Sequence, residues 1–164
     1  MADLLLAERL QPSLLDRLTD EAPGRDIDSE AEQFIDINRL RKIIHRDLTW
    51  LLNCSNIEAM HDLDLFPNTA ASVVNFGISN LSGTGNTQGR IASIQQTIRK
   101  AIEVFEPRIL RETIEVTPFR KKTDSDAVIA FDIRGELWAK PVPVDLYLRT
   151  ALDVTNGDLT IKQV

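Results

Sequence analysis

The hydrophobic period of this chain changes at one proline. Up to Phe105 the apolar residues recur at helical spacing, and after Pro107 they alternate. Ile37, Leu40, Ile44, Leu48 and Leu51 form one stripe of a helix ending near Asn53, with Arg39, Arg41, Lys42, Arg46 and Asp47 on other faces. A second helix, Gln88 to Phe105, turns Ile91, Ile94, Ile98, Ala101, Ile102 and Phe105 inward. Between them "TAASVVNFGISNL" gives a short helix or turn closed by Gly77. Beyond Pro107, Leu110, Ile114 and Val116 share a face, interrupted by Glu112. Ile129, Phe131, Ile133 and Leu137 then alternate with Ala130, Asp132, Arg134 and Glu136. Val142, Val144, Leu146 and Leu148 repeat the pattern, and Leu159 and Ile161 form a last short strand. Asn156-Gly157 is a two-residue hairpin signal before that strand. Helices followed by a strand meander make an α+β domain, with N-terminal helices packed on one face of an antiparallel sheet of about four strands.

The switch itself, "AIEVFEPRIL", carries an odd arrangement of charge. Glu106 falls in the last helical turn, where the helix dipole disfavours a carboxylate. Pro107 stops the helix, because the residue before a proline is pushed out of the α region, and Arg108 follows at once. Two uses fit. Glu106 and Arg108 point outward together and offer charge-assisted hydrogen bonds to a partner, with Pro107 limiting the entropy lost on ordering them. Alternatively they form an internal ion pair that orients the first strand.

A length of 164 residues suits one domain. Residues 1–30 read as an N-terminal arm and 31–164 as the main domain. The arm contains "PSLLDRL", whose Leu14, Leu15 and Leu18 make a short apolar face, and the polar stretch "TDEAPGRDID" reads as a linker. Leucines at that spacing dock either on a partner or on the domain itself. The net charge of −6 argues against non-specific binding to nucleic acid or anionic lipid. "MADLLLAERL" lacks the basic leader and apolar run of a secretion signal, and nothing approaches the ~20 apolar residues of a membrane span, so a cytoplasmic protein is expected. The single cysteine, Cys54, excludes an internal disulfide.

Catalytic and cofactor chemistry is sparse. The two histidines, His45 and His61, lack metal-ligand spacing and read as surface residues. Cys54, with no nearby histidine, reads as structural. "GTGNTQGR" is glycine-rich but follows no strand and lacks the Lys-Ser/Thr of a phosphate loop, so a loop leading to a helix cap at Asn86 or Thr87 is the better account. Arg120 to Lys122 reads as a solvated hairpin tip, with contact to a local acidic partner as the alternative. Glu106, Glu112 and Glu115 are the carboxylates nearest one junction, yet a glycosidase pair needs a cleft that nothing in the sequence marks. No cofactor and no metal are expected.

Several stretches together carry a resemblance: "PSLLDRLTD", "LRKIIHRDLTWLLN", "SVVNFGISNLSG", "IRKAIEVFEPRI" and "AFDIRGELWAKPVPVDLYLRTALDVTNG". The sequence resembles the TssE family of type VI secretion baseplate subunits, and the wider family of phage tail baseplate wedge proteins often labelled lysozyme-like. The resemblance implies a non-enzymatic structural subunit that joins wedge proteins and seeds sheath assembly. It implies TssF and TssG as wedge partners, TssK nearby, and TssB and TssC as sheath partners. It also assigns Glu106, Pro107 and Arg108 to the wedge contact, and recruitment from the cytoplasm to a baseplate at the inner membrane. The polar loop "SGTGNTQG" departs from the family pattern. The last strand, with Leu159 and Ile161, would offer its edge to a sheath strand, or else stand as an ordinary edge protected by Lys162 and its shortness. The other classes open to the chain are a peptidoglycan hydrolase and a generic protein-binding adaptor.

Overall fold

The computed structural model describes residues 13–19, 37–79, 81, 88–119, 128–138 and 143–163. Most of the arm, the loop 82–87 with its proposed caps, Arg120 to Lys122 and Val142 lie outside the described residues. Among the described residues four α-helices, α1 (Leu14–Leu18), α2 (Ile37–Asn53), α3 (Pro67–Ala70) and α4 (Gln88–Phe105), precede four strands, β1 (Glu115–Phe119), β2 (Val128–Leu137), β3 (Val144–Asp153) and β4 (Leu159–Gln163). The strands form one antiparallel sheet in the order β1-β2-β3-β4. The α+β class expected from the change of period is therefore the observed one.

The buried stripe of α2 is Leu40, Ile43, Ile44, Leu48, Leu51 and Leu52, wider than the sequence stripe by Ile43 and Leu52. Ile37, at its first turn, is exposed. On α4, Ile94, Ile98, Ala101 and Ile102 are buried, while Ile91 and Phe105 pack at the margin. These residues share one core with Ile129, Phe131, Ile133 and Leu137 of β2 and Leu146, Leu148 and Leu152 of β3. Because side chains alternate along a strand, the other set, including Asp132, Tyr147 and Arg149, points away from that core.

Two elements differ from the sequence reading. The first strand begins at Glu115 and not directly after Pro107, because Arg111–Thr113 forms a 3-10 turn. Thr113 drives that turn: its N–H and its hydroxyl both donate to Leu110 O, at 3.0 and 2.7 Å, and its hydroxyl also accepts from Glu136 N. The β3–β4 connection is a five-residue loop, 154–158, and not a two-residue Asn156-Gly157 turn. Asp153 and Asp158 face each other, Gly157 N donates to Asp153 O at 2.8 Å, and Gly157 takes φ +83°. Asp153 Oδ1 accepts Thr155 N, which starts the turn two residues earlier than the dipeptide suggests.

Candidate functional site

The Glu-Pro-Arg corner is built from three elements. The last helical hydrogen bond of α4 runs from Glu106 N to Ile102 O, and Ile109 N then donates to Glu106 O. Next the chain pairs with the end of β2: Leu110 N donates to Glu136 O and Trp138 N to Arg108 O, both within 2.9 Å. Gly135 makes this approach possible, since a Cβ there would lie 2.8 Å from Ile109 Cγ2. Arg108 is thereby fixed at both its backbone and its side chain.

The side chains answer the charge puzzle of the sequence. The Glu106 carboxylate is 4% exposed and accepts from Arg108 Nε at 2.7 Å, Arg108 Nη2 at 2.5 Å and Arg108 N at 3.1 Å. A cation thus sits directly on the acid that the helix dipole disfavours, and the dipole penalty of about 0.3–1 kcal/mol is outweighed. Arg108 Nη2 also donates to Asp47 Oδ2 at 2.6 Å. Arg46 grips the other oxygen of Asp47 through Nε and Nη2, at 2.9 and 2.7 Å. Arg46 Nη1 then reaches Asp16 Oδ1 of α1 at 2.7 Å. Five alternating charges, Glu106, Arg108, Asp47, Arg46 and Asp16, tie α1, α2 and the end of α4 together. The network raises the Arg108 pKa: burial opposes the shift, but Glu106 and Asp47 outweigh it. Burial likewise opposes the fall in the Asp16 pKa, and the Ser13 hydroxyl and Arg46 overcome it.

This chain of charges absorbs the arm residues that the sequence left open. Asp16 is buried against Arg46, while Leu14, Leu15 and Leu18 are exposed among the described residues. Charge, not the leucine face, makes the contact of α1 with α2. Asp16 and Asp47 were not singled out from sequence. The signal available was Asp16 three residues after Ser13, the pattern of a helix N-cap whose acid sits in the first turn.

The second proposed contact, β4, lies at a sheet edge. Leu159 and Ile161 turn their side chains into the core, and their backbone groups face away from β3. Leu159 N and O and Ile161 O are already engaged. Asn53 donates to Leu159 O and accepts from Leu159 N, both at 2.8 Å. His45 Nε2 lies 3.1 Å from Ile161 O. His45 is therefore half-buried at the sheet edge and not simply a surface residue, and Asn53 mimics a neighbouring strand. The opposite edge is treated in the same way: Gln95 Nε2 donates to Val116 O at 2.6 Å, and Pro118 has no N–H to offer.

The remaining candidates do not converge. Glu112 and Glu115 are exposed while Glu106 is buried and clamped by Arg108. His61 and Cys54 are exposed. Among the described residues no group of three His, Cys, Asp or Glu side chains is placed to hold a metal ion, and no helix is long and apolar enough to cross a membrane. A polar cluster missed by the sequence reading lies across β2 and β3. Arg149 Nε donates to Asp132 Oδ1 and Tyr147 OH to Asp132 Oδ2, at 2.7 and 2.8 Å, and Arg149 stacks 3.9 Å from the Phe119 ring centroid. Arg149 chiefly, helped by Tyr147, holds the Asp132 carboxyl below the usual range against the opposing effect of burial.

No curated protein and no solved structure gave a significant match to this sequence. A family model did, and its span covers α2 from its second residue, α4, the Glu-Pro-Arg corner and β2, in line with the resemblance carried by the sequence stretches. With residues 38–142 matching the model described as baseplate wedge protein gp25, well over half its length, the chain belongs to that family.

Proposed function

We propose that this protein is a TssE-like, non-enzymatic subunit of a type VI secretion baseplate, working on the cytoplasmic side at the inner membrane. It links the wedge proteins TssF and TssG, lies near TssK, and seeds the sheath built from TssB and TssC. Family membership supports the baseplate structural role. The observation that carries the finer reading is the construction of the Glu-Pro-Arg corner. Arg108 is 29% exposed and uses only Nε and Nη2 among the described residues, so the Nη1 donors remain for a partner. Pro107 is exposed beside it, and Glu106 is buried beneath. In this reading Arg108 and Pro107 touch the wedge, and Glu106 with Asp47 sets the angle of the guanidinium.

Sheath contact is assigned to β4, with Leu159 and Ile161 holding the strand on the core. Its support is the edge position alone, and β4 lies beyond the matched span. Addition of a sheath strand there requires Asn53 and His45 to release Leu159 and Ile161.

The test is co-purification with TssF and TssG, comparing wild type, Arg108→Lys and Glu106→Gln at equal folded concentration. Arg108→Lys keeps the charge but loses the planar fork. Loss of both wedge proteins from folded Arg108→Lys is the expected result. Undiminished co-purification of both variants would remove the corner from the wedge contact.

A further inference from the structure

The segment between α2 and Gly77 forms a small lobe whose outer surface is apolar. Five of the eleven exposed large apolar side chains among the described residues lie here: Met60, Leu65, Phe66, Val73 and Val74, each more than half exposed. The lobe is tied together by internal hydrogen bonds, so the exposure does not come from a loose loop. Asn75 is 4% exposed and organises it: its amide donates to Ala70 O at 3.0 Å and Glu58 Oε2 at 3.2 Å, and accepts from Glu58 N at 3.0 Å. Gly77, at φ +122°, closes the lobe onto Cys54, whose carbonyl oxygen would lie 2.3 Å from any Cβ there. Ile78 N donates to Cys54 O at 2.8 Å.

Where the lobe meets α4, a crevice of about 170 Å³ opens. Asn56, Glu58, Asn75, Lys100 and Phe105 are among its lining residues. Asn56 is 9% exposed, and its Oδ1 is the buried side-chain polar atom left without a hydrogen-bond partner among the described residues. An orphaned acceptor at that depth costs about 1–3 kcal/mol unless something donates to it. The surrounding charge favours a cation there. Glu58 lines the crevice; its Oε2 accepts from Asn75, and its cation contact among the described residues is a long one, Lys100 at 3.8 Å from Oε1. Asp62 and Asp64 flank the apolar patch, and no cation pairs with either among the described residues.

Acidic flanks around an apolar patch repel anionic lipid, nucleic acid and a second copy of this chain, whose net charge is −6. We propose that the 57–76 lobe is a docking surface for an amphipathic segment of a partner protein. That segment has apolar anchors flanked by lysine or arginine, and one of its basic side chains enters the crevice beside Asn56 and Glu58. The apolar anchors cover Leu65, Phe66, Val73 and Val74, and the remaining basic flank faces Asp62 and Asp64. This surface is separate from Arg108 and stands whether or not that residue contacts a wedge protein.

The test uses the full chain, labelled with ¹⁵N, and two synthetic amphipathic peptides. Both carry leucines on one face; one has arginine flanks and the other glutamate flanks. The arginine peptide is expected to give saturable amide shifts confined to residues 57–78 and the facing turns of α4, with affinity at least about tenfold above the glutamate peptide. Val73→Asp, at a fully solvated position, abolishes the shifts without changing the circular dichroism spectrum. Asn56→Leu weakens the arginine peptide severalfold while leaving the thermal midpoint unchanged or higher, since it deletes an unsatisfied acceptor. Equal affinity for the two peptides, shifts outside the lobe, or self-association through Val73 would overturn the docking surface. Unchanged affinity in Asn56→Leu, or a lowered midpoint, would overturn the crevice contact.

Discussion

Replacing Glu106 by alanine tests the charge network directly. The substitution deletes three hydrogen bonds to Arg108 from a carboxylate that is 4% exposed. Removing one member of a buried ion pair costs about 3–5 kcal/mol, mostly because the survivor is left uncompensated. Two features reduce that figure here. Arg108 keeps Asp47 at 2.6 Å, and with 29% exposure its guanidinium can recruit water. Removing an acid from the negative end of α4 also returns about 0.3–1 kcal/mol. The expected cost is about 2 kcal/mol, or roughly 4–8 °C in thermal midpoint for a chain of this size. Arg108→Ala is worse, about 3–5 kcal/mol, because Glu106 then stays buried beside unpaired helix carbonyls. The double variant should cost less than the sum of the two by at least about 1.5 kcal/mol, as expected for groups sharing one network. Urea unfolding followed by circular dichroism, with slopes checked for constancy, reads all three. Additivity of the two single variants to within about 0.5 kcal/mol would refute the network, as would a midpoint shift below about 1 °C for Glu106→Ala.

Three further outcomes follow from the same structure. Gly77→Ala combines a φ of +122° with a Cβ 2.3 Å from Cys54 O, so a loss of about 3–5 kcal/mol is expected; a midpoint within about 2 °C of wild type would contradict it. Asn53→Ala strips Leu159 N and O of their partner, costing about 1–2 kcal/mol and raising the proportion of higher-mass species in light scattering at high concentration. The folded Asp132 carboxyl titrates below the unfolded value of about 3.9, so the folded state binds fewer protons and its stability falls as pH drops from about 4 through the folded pKa. Asp132→Asn should therefore be less stable at pH 7 and show a flatter stability profile below pH 4; parallel wild-type and variant profiles would rule this out.

What sequence could show divides along the range of the interactions involved. The helices and strands follow from periodicity because burial acts on every third or fourth, or every second, residue of a continuous segment. The helix from Gln88 to Phe105 and the one ending at Asn53 match for that reason. Turn details were less legible. Asn156-Gly157 favours a tight turn locally, yet the Asp153 side chain captures Thr155 N and lengthens the loop. Thr113, an ordinary residue in sequence, forms the turn that delays β1. Long-range polar pairing was hidden altogether. Asp47 reads as one charged residue on the solvent face of an amphipathic helix, and only folding brings it 61 positions across to Arg108. Asp132 and Arg149 were equally hidden, although they stand opposite each other in the β2–β3 register.

The treatment of the two sheet edges bears on how such a subunit meets its neighbours. A four-stranded sheet exposes two rows of unpaired backbone groups, which invite addition of any extended chain. Here helix side chains occupy those rows at chosen points: Gln95 on β1, Asn53 and His45 on β4. The two edges differ in how they could reopen. Pro118 is a covalent block, since no rearrangement supplies the missing N–H. Asn53 and His45 are hydrogen-bonded blocks on α2, exposed and half-buried respectively, and an incoming strand offers the same donors and acceptors that they supply. Exchange at β4 is therefore close to neutral in hydrogen bonds, and the balance falls to side-chain contacts made by the added strand. An edge built this way resists indiscriminate pairing yet yields to a strand with complementary side chains. If β4 is the edge used in assembly, Asn53→Ala should ease strand addition, whereas replacing Pro118 should leave it unchanged.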